Sequence, residues 1–303
     1  MSFDPLRLEA ALAAHDDVWR VVVAETRGSV PRGPGASMLV WANGQDGTIG
    51  GGRLEWEALA AARAGRRGAI RHALGPSLGQ CCGGTVTLHI SHWNRELLDA
   101  VDFSGGLAAI GHTQPGRDVM EAADRLRDDP DAPSPQLVGD WLVERIAPAP
   151  RRVHVWGAGH VGRALVSVLA PLPDLGIAWI DDAAGRFPAD IPAGADRIVA
   201  ADMPRLAART GPEDEHLILT YSHDIDLALC HALLTAGAHR IGLIGSATKW
   251  ARFQTRLRQL GHSDATIARI RCPIGNPALG KHPQAIAVGV AAEILAPEEQ
   301  DPA

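Results

Sequence analysis

Apolar and polar positions follow two different rhythms along this chain. From residue 151 onward, short apolar runs at 153–156, 177–180, 197–199, 216–221 and 240–244 alternate with helical patterns at 161–169, 225–234 and a shorter 203–209. Strands that are apolar throughout, with helices between them, predict a parallel sheet covered on both faces. Two more helices are predicted at 247–260 and 283–295. Pro283 suits the first turn of the latter, where its missing N–H costs nothing. The first hundred residues read differently. Helical spacing over 4–15 (Leu8, Leu12) precedes β-branched runs at 18–26 and 37–41, a turn by composition at 43–47, and an Ala-rich helix at 53–64. Residues 85–90 alternate with a period of two, as a half-buried strand does.

Between these regions the pattern weakens. Residues 99–150 carry acids and prolines, with candidate strands only at 107–110 and 137–146, and Ala147-Pro-Ala-Pro150 reads as a stiff linker. The predicted organisation is therefore a mixed α/β domain over 1–98 containing a Cys-Cys motif, an acidic connecting segment with a Pro-rich linker over 99–150, and a Rossmann-like domain over 151–303. In class terms, this is an α/β protein whose C-terminal doubly wound parallel sheet is preceded by a mixed α/β N-terminal domain.

With 303 residues and 46% apolar content, the chain has enough material for hydrophobic cores without staples. Its net charge is −6, and the acidity is local: Asp99 to Asp140 hold nine acids against three arginines. Nucleic-acid binding, which needs a basic face, is not expected. The apolar stretch 285–296 is broken by Gly289 and Glu293, short of the roughly 20 residues a membrane span needs. The N-terminus shows no apolar signal core, and there are four cysteines. No membrane association and a reducing, cytoplasmic location are the expectations.

Several loops carry candidate chemistry. Gly157-Ala-Gly159-His160-Val-Gly162 follows a strand and opens a helix, and Asp181 lies 19 residues past Gly162. This spacing suits a phosphate held at a helix N-terminus and an acid accepting from a ribose diol. The alternative is glycines that serve only helix–sheet packing. Cys81-Cys82, between a Gln and two glycines, offers thiolates to a soft metal or to sulfur transfer; buried small residues in a turn are the bland alternative. Gly50-Gly51-Gly52 before a helix is a second candidate anion cradle or an ordinary turn. Arg63, Arg66, Arg67 and Arg71 form either an anion grip or a solvated helix end. Ser222 and His223 follow one strand, and Ser246 with Lys249 follows the next, at the edge where doubly wound sheets bind ligands. His223 is placed to relay protons or to cap a helix, Ser246 to cap, and Lys249 to reach an anion. Cys230 reads as core, and Cys272 is undecided.

Taken together, Gly28-Ser-Val-Pro-Arg32, Gly47-Thr-Ile-Gly-Gly-Gly-Arg-Leu-Glu55, Gly79-Gln-Cys-Cys-Gly-Gly84, Gly157-Ala-Gly-His-Val-Gly-Arg-Ala164, Ser222-His223, Gly242-Leu-Ile-Gly-Ser246 with Lys249, and Cys272-Pro-Ile-Gly275 resemble the XdhC/CoxI family. These are accessory proteins of xanthine dehydrogenase and related molybdenum hydroxylases. The resemblance implies a chaperone, without turnover of its own, that binds the molybdenum cofactor in its molybdopterin form. It would hold the cofactor while a cysteine desulfurase supplies the terminal sulfur, then insert it into the apo-xanthine dehydrogenase large subunit. It further implies cofactor contacts from the glycines, His160, Asp181, Ser222, His223, Ser246 and Lys249, with Cys81 or Cys82 near molybdenum and the cofactor between the two domains. A homodimer is the assembly expected of a bacterial protein of this size. Two positions depart from the family: Ala183 stands where an Arg is common, with Arg186 further along, and Tyr221 where a His is common. An NAD(P)-dependent oxidoreductase is the competing expectation from the glycine loop. A scaffold bridging desulfurase and target is the third.

Overall fold

The computed structural model describes residues 3–74, 83–101, 103, 105–172 and 174–296. It separates into two compact units, one up to Pro148 and one from Ala149.

In the first unit, Asp4 caps helix α1 (Pro5–Ala14) by accepting from the Arg7 amide at 3.1 Å. Strands β1 (Val18–Arg27), β2 (Ser37–Trp41), β3 (Gly44–Gly47), β4 (Gly68–Ala73) and β5 (Thr85–Trp93) form an antiparallel sheet in the order β3-β2-β1-β5-β4. One sheet face presents Val21, Val23, Leu88 and Ile90 to Leu54, Ala58 and Ala62 of helix α2 (Gly52–Arg63). The stretch 43–47, expected as a turn, largely forms β3. Its polar residues serve as an edge strand paired to β2, and the turn itself is Ala42-Asn43.

The segment 99–148 carries more than a connection. After helix α3 (Arg95–Ala100), strands β6 (Leu107–Ile110), β7 (Gln136–Val138) and β8 (Trp141–Arg145) form a sheet in the order β6-β8-β7. Helix α4 (Arg117–Asp128) buries Val119, Ala122 and Leu126 against it. The second face of the larger sheet meets β8 through a buried bidentate pair: Arg20 donates to both Glu144 oxygens at 2.5 and 2.9 Å. With side-chain exposures of 4% and 0%, neither charge has water to fall back on, so the pair fixes where the two sheets join.

The four arginines between 63 and 71 do not cluster. Arg63 donates to the Trp41 and Gly44 carbonyls, Arg67 contacts His92, and Arg71 lies on β4. Of the two expectations, an anion grip or a solvated helix end, neither describes Arg63, Arg67 and Arg71 together, since each has a separate structural position.

The second unit contains β9 (Arg151–Trp156), α5 (His160–Leu169), β10 (Leu175–Asp181), β11 (Ala195–Val199), α6 (Met203–Ala207), β12 (Glu215–Ile218), α7 (His223–Thr235), β13 (Arg240–Leu243), α8 (Ala247–Gln259), α9 (Asp264–Ile267), β14 (Ile270–Arg271) and α10 (Pro283–Leu295). All strand pairs are parallel, in the order β11-β10-β9-β12-β13-β14. Relabelled from one to six, this is the 3-2-1-4-5-6 order of the Rossmann fold, with its switch point between β9 and β12. One face buries Val153, Val155, Trp179 and Leu217 under α5 and α10; the other buries Trp156, Ile180 and Ile218 under α6, α7 and α8.

That second face also encloses two histidines. His154 and His216 stack at 5.0 Å, and Trp156 donates Nε1–H to His216 Nδ1 at 3.3 Å. Burial holds His216 down to about 3. Above pH 6.5 both folded and unfolded forms carry it neutral. Below that value the unfolded chain binds a proton that the native sheet refuses, so stability falls as the pH drops towards 3. Urea unfolding of wild type and His216→Gln between pH 7 and 4 should therefore show the wild type losing stability by about 1 kcal/mol more per pH unit than the variant. Parallel pH dependences in the two proteins would contradict this account.

Candidate functional site

The glycine loop sits at the carboxyl end of β9, beside the switch point. Its three glycines have different work. Gly157 has φ +124°, and a Cβ there would lie 2.5 Å from the Leu219 carbonyl oxygen on the neighbouring strand's loop. A Cβ on Gly162 would strike the Gly157 carbonyl, so this glycine lets α5 close against β9. Gly159 alone faces open space. It is the N-cap of α5 and offers no side-chain cap, which leaves the first-turn amides, beside exposed His160, without a side-chain partner, as at helix ends that can accept an anion.

Asp181 ends β10 at 2% exposure, and its oxygens are already in use. One accepts from the Ala158 amide at 2.6 Å; the other accepts from the Asp182 amide at 2.8 Å and lies 3.1 Å from Arg186 Nε. The acid expected to face a ribose instead braces the glycine loop. Burial pushes the Asp181 carboxyl up, while the hydrogen bond from Tyr221 holds its neighbour Asp182 below the usual carboxylate range. The two adjacent acids are thereby shifted in opposite directions, the buried one up and the outer one down.

Beside the two departures noted, Tyr221 and Arg186 meet in space through Asp182. Tyr221 donates its hydroxyl to Asp182 at 2.6 Å, and the Arg186 guanidinium lies 3.7 Å from the centre of the Tyr221 ring while bonding Asp182 at 2.8 Å. Because Asp182 follows β10 and Tyr221 follows β12, this bridge links the loops on either side of β9. Sequence reading missed it, since Arg186 and Tyr221 stand 35 positions apart; the signal was the coincidence of a missing Arg and a displaced His.

Further along the same edge, Ser222 caps α7 by accepting from Ile225 at 3.5 Å, and His223 is the helix's exposed first residue, edge-on to Phe253. Ser246 caps α8 through the Lys249 amide at 3.2 Å. Lys249, expected to reach an anion, donates to buried Asp226 at 2.6 Å and to the Ile244 carbonyl at 2.9 Å. Asp226 also accepts from the Thr220 amide and hydroxyl at 3.0 and 2.7 Å. Cys272 lies beside this pair, its half-buried thiol pushed up to about 11 by burial; Cys230 is fully buried and pushed up further.

In the first unit, Gly50, Gly51 and Gly52 all adopt positive φ, of 122°, 73° and 68°. Their cradle is occupied by the chain itself. Glu55 accepts from the Ile49 and Gly51 amides at 3.1 and 3.0 Å, from Thr48 at 2.5 Å and from Gln45 at 2.9 Å. Burial works against this carboxylate, yet these donors together hold it below its ordinary value. Cys81 and Cys82 lie outside the described residues. The residues flanking them converge: the Leu74 amide bonds the Gly84 carbonyl at 2.8 Å, and Gly84 donates to the Ser29 carbonyl at 3.1 Å. Arg27 and Arg71 lie at this end of the sheet, around a recess shared with Glu25 and Thr87. Among the described residues, no three His, Cys, Asp or Glu side chains form a metal-binding group, and no helix is long and apolar enough to cross a membrane.

Residues 11–72 match the XdhC and CoxI family, and residues 153–294 match the XdhC Rossmann domain. The chain belongs to the XdhC/CoxI family. Among similar proteins, YqeB of Escherichia coli K12 is 26% identical over 284 residues, covering 90% of this chain but 42% of that protein. The chain thus spans less than half the length of this curated relative. A crystal structure described as a xanthine dehydrogenase from Bacillus halodurans aligns over 99% of this chain and 98% of its own, at 18% identity and a TM-score of 0.71, which shows a shared fold. A Rossmann-fold NAD(P)-binding family protein from Shigella flexneri aligns over 49% of this chain and 88% of its own, at 15% identity and a TM-score of 0.35.

In this XdhC-family chain, Gly157 and Gly162 of the loop serve packing while Gly159 faces open space. Gly162→Ala should cost about 2 kcal/mol or more through overpacking, whereas Gly159→Ala should cost less than about 1 kcal/mol. Chemical denaturation of both variants tests this, and equal losses would refute the division of roles. Glu55 gives a second expectation. Its depressed value means that the stabilisation is complete above the ordinary 4.5 and is lost as the pH falls through the lower folded value. Glu55→Gln should be less stable than wild type by about 1 kcal/mol or more at pH 7, with the gap closing in acid.

Proposed function

We propose that this protein is a molybdenum-cofactor chaperone. It takes up the pterin-bound cofactor, holds it while a cysteine desulfurase supplies the terminal sulfur, and passes it to the apo-form of xanthine dehydrogenase or a related molybdenum hydroxylase. The observation that carries this reading is the family match in both units, over residues 11–72 and 153–294. The local chemistry supports it. The outward amides at the start of α5, beside the open face of Gly159, fit the cofactor's phosphate. Lys249, Asp226 and Asp181 are each engaged by the protein's own groups, which gives them structural rather than proton-transfer work. Cys81 and Cys82 would supply the soft donors for molybdenum or its sulfur. A reducing cytoplasm would keep these thiols free.

A nucleotide-dependent oxidoreductase is the competing reading, favoured by the Rossmann strand order and the glycine loop. It needs a ribose contact that Asp181, bound to Ala158, is not free to make without rearrangement.

One experiment separates the two. The protein is purified from cells with and without pterin synthesis, and bound molybdenum and NAD(P) are assayed. The chaperone reading expects molybdenum retained only where pterin is made, and lost at least about tenfold in the Cys81→Ser/Cys82→Ser double variant together with activation of the apo-dehydrogenase. Retention of NAD(P) without molybdenum, or a double variant that carries and activates normally, would overturn it.

A further inference from the structure

The opposite pole of the second unit carries charge that the glycine loop does not use. There, at the amino ends of the parallel strands, lies a broad bowl of about 950 Å³. Four arginines line it, Arg151, Arg240, Arg269 and Arg271, against two carboxylates, Glu215 and Glu293. Positive charge is therefore in excess at this edge, in a chain whose net charge is −6.

Strand order and register place these residues side by side. Arg151 opens β9, Glu215 opens β12 opposite Arg240 at the start of β13, and Arg271 lies on β14, the next strand along. Most of the charges have a local anchor. Arg151 donates to Glu215 at 2.8 Å and to the Ile294 carbonyl at 3.2 Å, Arg271 pairs with Glu293 at 2.5 Å, and Arg269 donates to the Gly237 carbonyl at 3.4 Å. Part of this is ordinary helix-end work, since Ile294 lies in the last turn of α10 and Gly237 just past α7. It does not exhaust the guanidiniums, which carry more N–H donors than these bonds use. The Arg151 and Arg271 side chains are 43% and 55% exposed, whereas that of Glu215 is 6% exposed. The rim is cationic and one of the two balancing acids lies beneath it.

The spacing of the charges decides the ligand class. Neighbouring strands lie about 4.8 Å apart, so Arg151 on β9 and Arg271 on β14, three strands along, start about 14 Å from each other. A phosphate or a lone carboxylate reaches one or two of these guanidiniums. In an extended peptide, acids at alternate positions stand about 7 Å apart on one side, and two such steps cover the distance from Arg151 to Arg271. A forked guanidinium meets each carboxylate with two parallel hydrogen bonds. We infer that the bowl at the amino ends of the parallel sheet docks an extended acidic segment of a partner protein, with its carboxylates on Arg151, Arg269 and Arg271. The inference stands on this edge of the second unit alone and does not depend on the chaperone reading. A partner held here leaves the carboxyl ends of the strands, with the glycine loop, uncovered.

The test titrates the full chain into fluorescein-labelled hexaglutamate at low salt and follows fluorescence anisotropy, with labelled hexaglutamine as the neutral comparator and tripolyphosphate as a compact competing anion. Saturable binding of hexaglutamate is expected, with none of hexaglutamine, and tripolyphosphate should displace the peptide only at about tenfold higher concentration or more. Arg271→Gln should weaken peptide binding about tenfold. The fold tolerates this change, because Glu293 keeps the Gly275 amide at 2.7 Å. Arg252→Gln, which removes an exposed arginine on α8 of the same unit, should leave the affinity within about twofold. No saturation with hexaglutamate, tripolyphosphate competing as well as the peptide, or equal losses in Arg252→Gln and Arg271→Gln would overturn the proposal.

Discussion

Carboxylates that reach back to loop amides hold the functional edges of both units in place. Asp181 takes the Ala158 amide, Asp226 the Thr220 amide, Glu293 the Gly275 amide at 2.7 Å, and Glu55 the amides of Ile49 and Gly51. Each loop turns sharply and would otherwise leave backbone N–H groups without partners, which is costly in a dry environment. A charged acceptor satisfies them more strongly than a neutral one. Lys249 on Asp226 and Arg271 on Glu293 then balance the charge that these acids bring inward. The loops are therefore set by the chain's own acids, and the start of α5 is among the helix ends that no side chain caps.

The parallel sheet was legible in the sequence because its central strands are buried on both faces and read as mostly apolar runs. The glycine spacing was legible because Gly157 and Gly162 answer to backbone contacts that no other residue type satisfies. What stayed hidden was the partner of each charge. Asp181 and Lys249 were read as facing a ligand, since residue type announces a charge but not who neutralises it. Their partners Ala158 and Asp226 each lie 23 positions away on another element. The first unit was harder. Strand β3 is a polar edge, β4 interrupts a run of arginines, and α4 sits among acids and prolines that mask the spacing of Val119, Ala122 and Leu126.

The Tyr221–Asp182–Arg186 bridge bears on what the Rossmann crevice can accept. It joins the loops after β12 and β10, and a guest lying across the end of β9 must either pass beneath this bridge or part it. A dinucleotide that ran the length of the crevice would meet the bridge and would also find Asp181 committed to Ala158. A compact phosphate-bearing group needs less: the helix amides beside Gly159 and the exposed His160 lie on the open side. The glycine fingerprint is therefore a statement about how α5 packs on β9. What is left beyond packing is one glycine of the three, Gly159, with space in front of it at the N-terminus of α5.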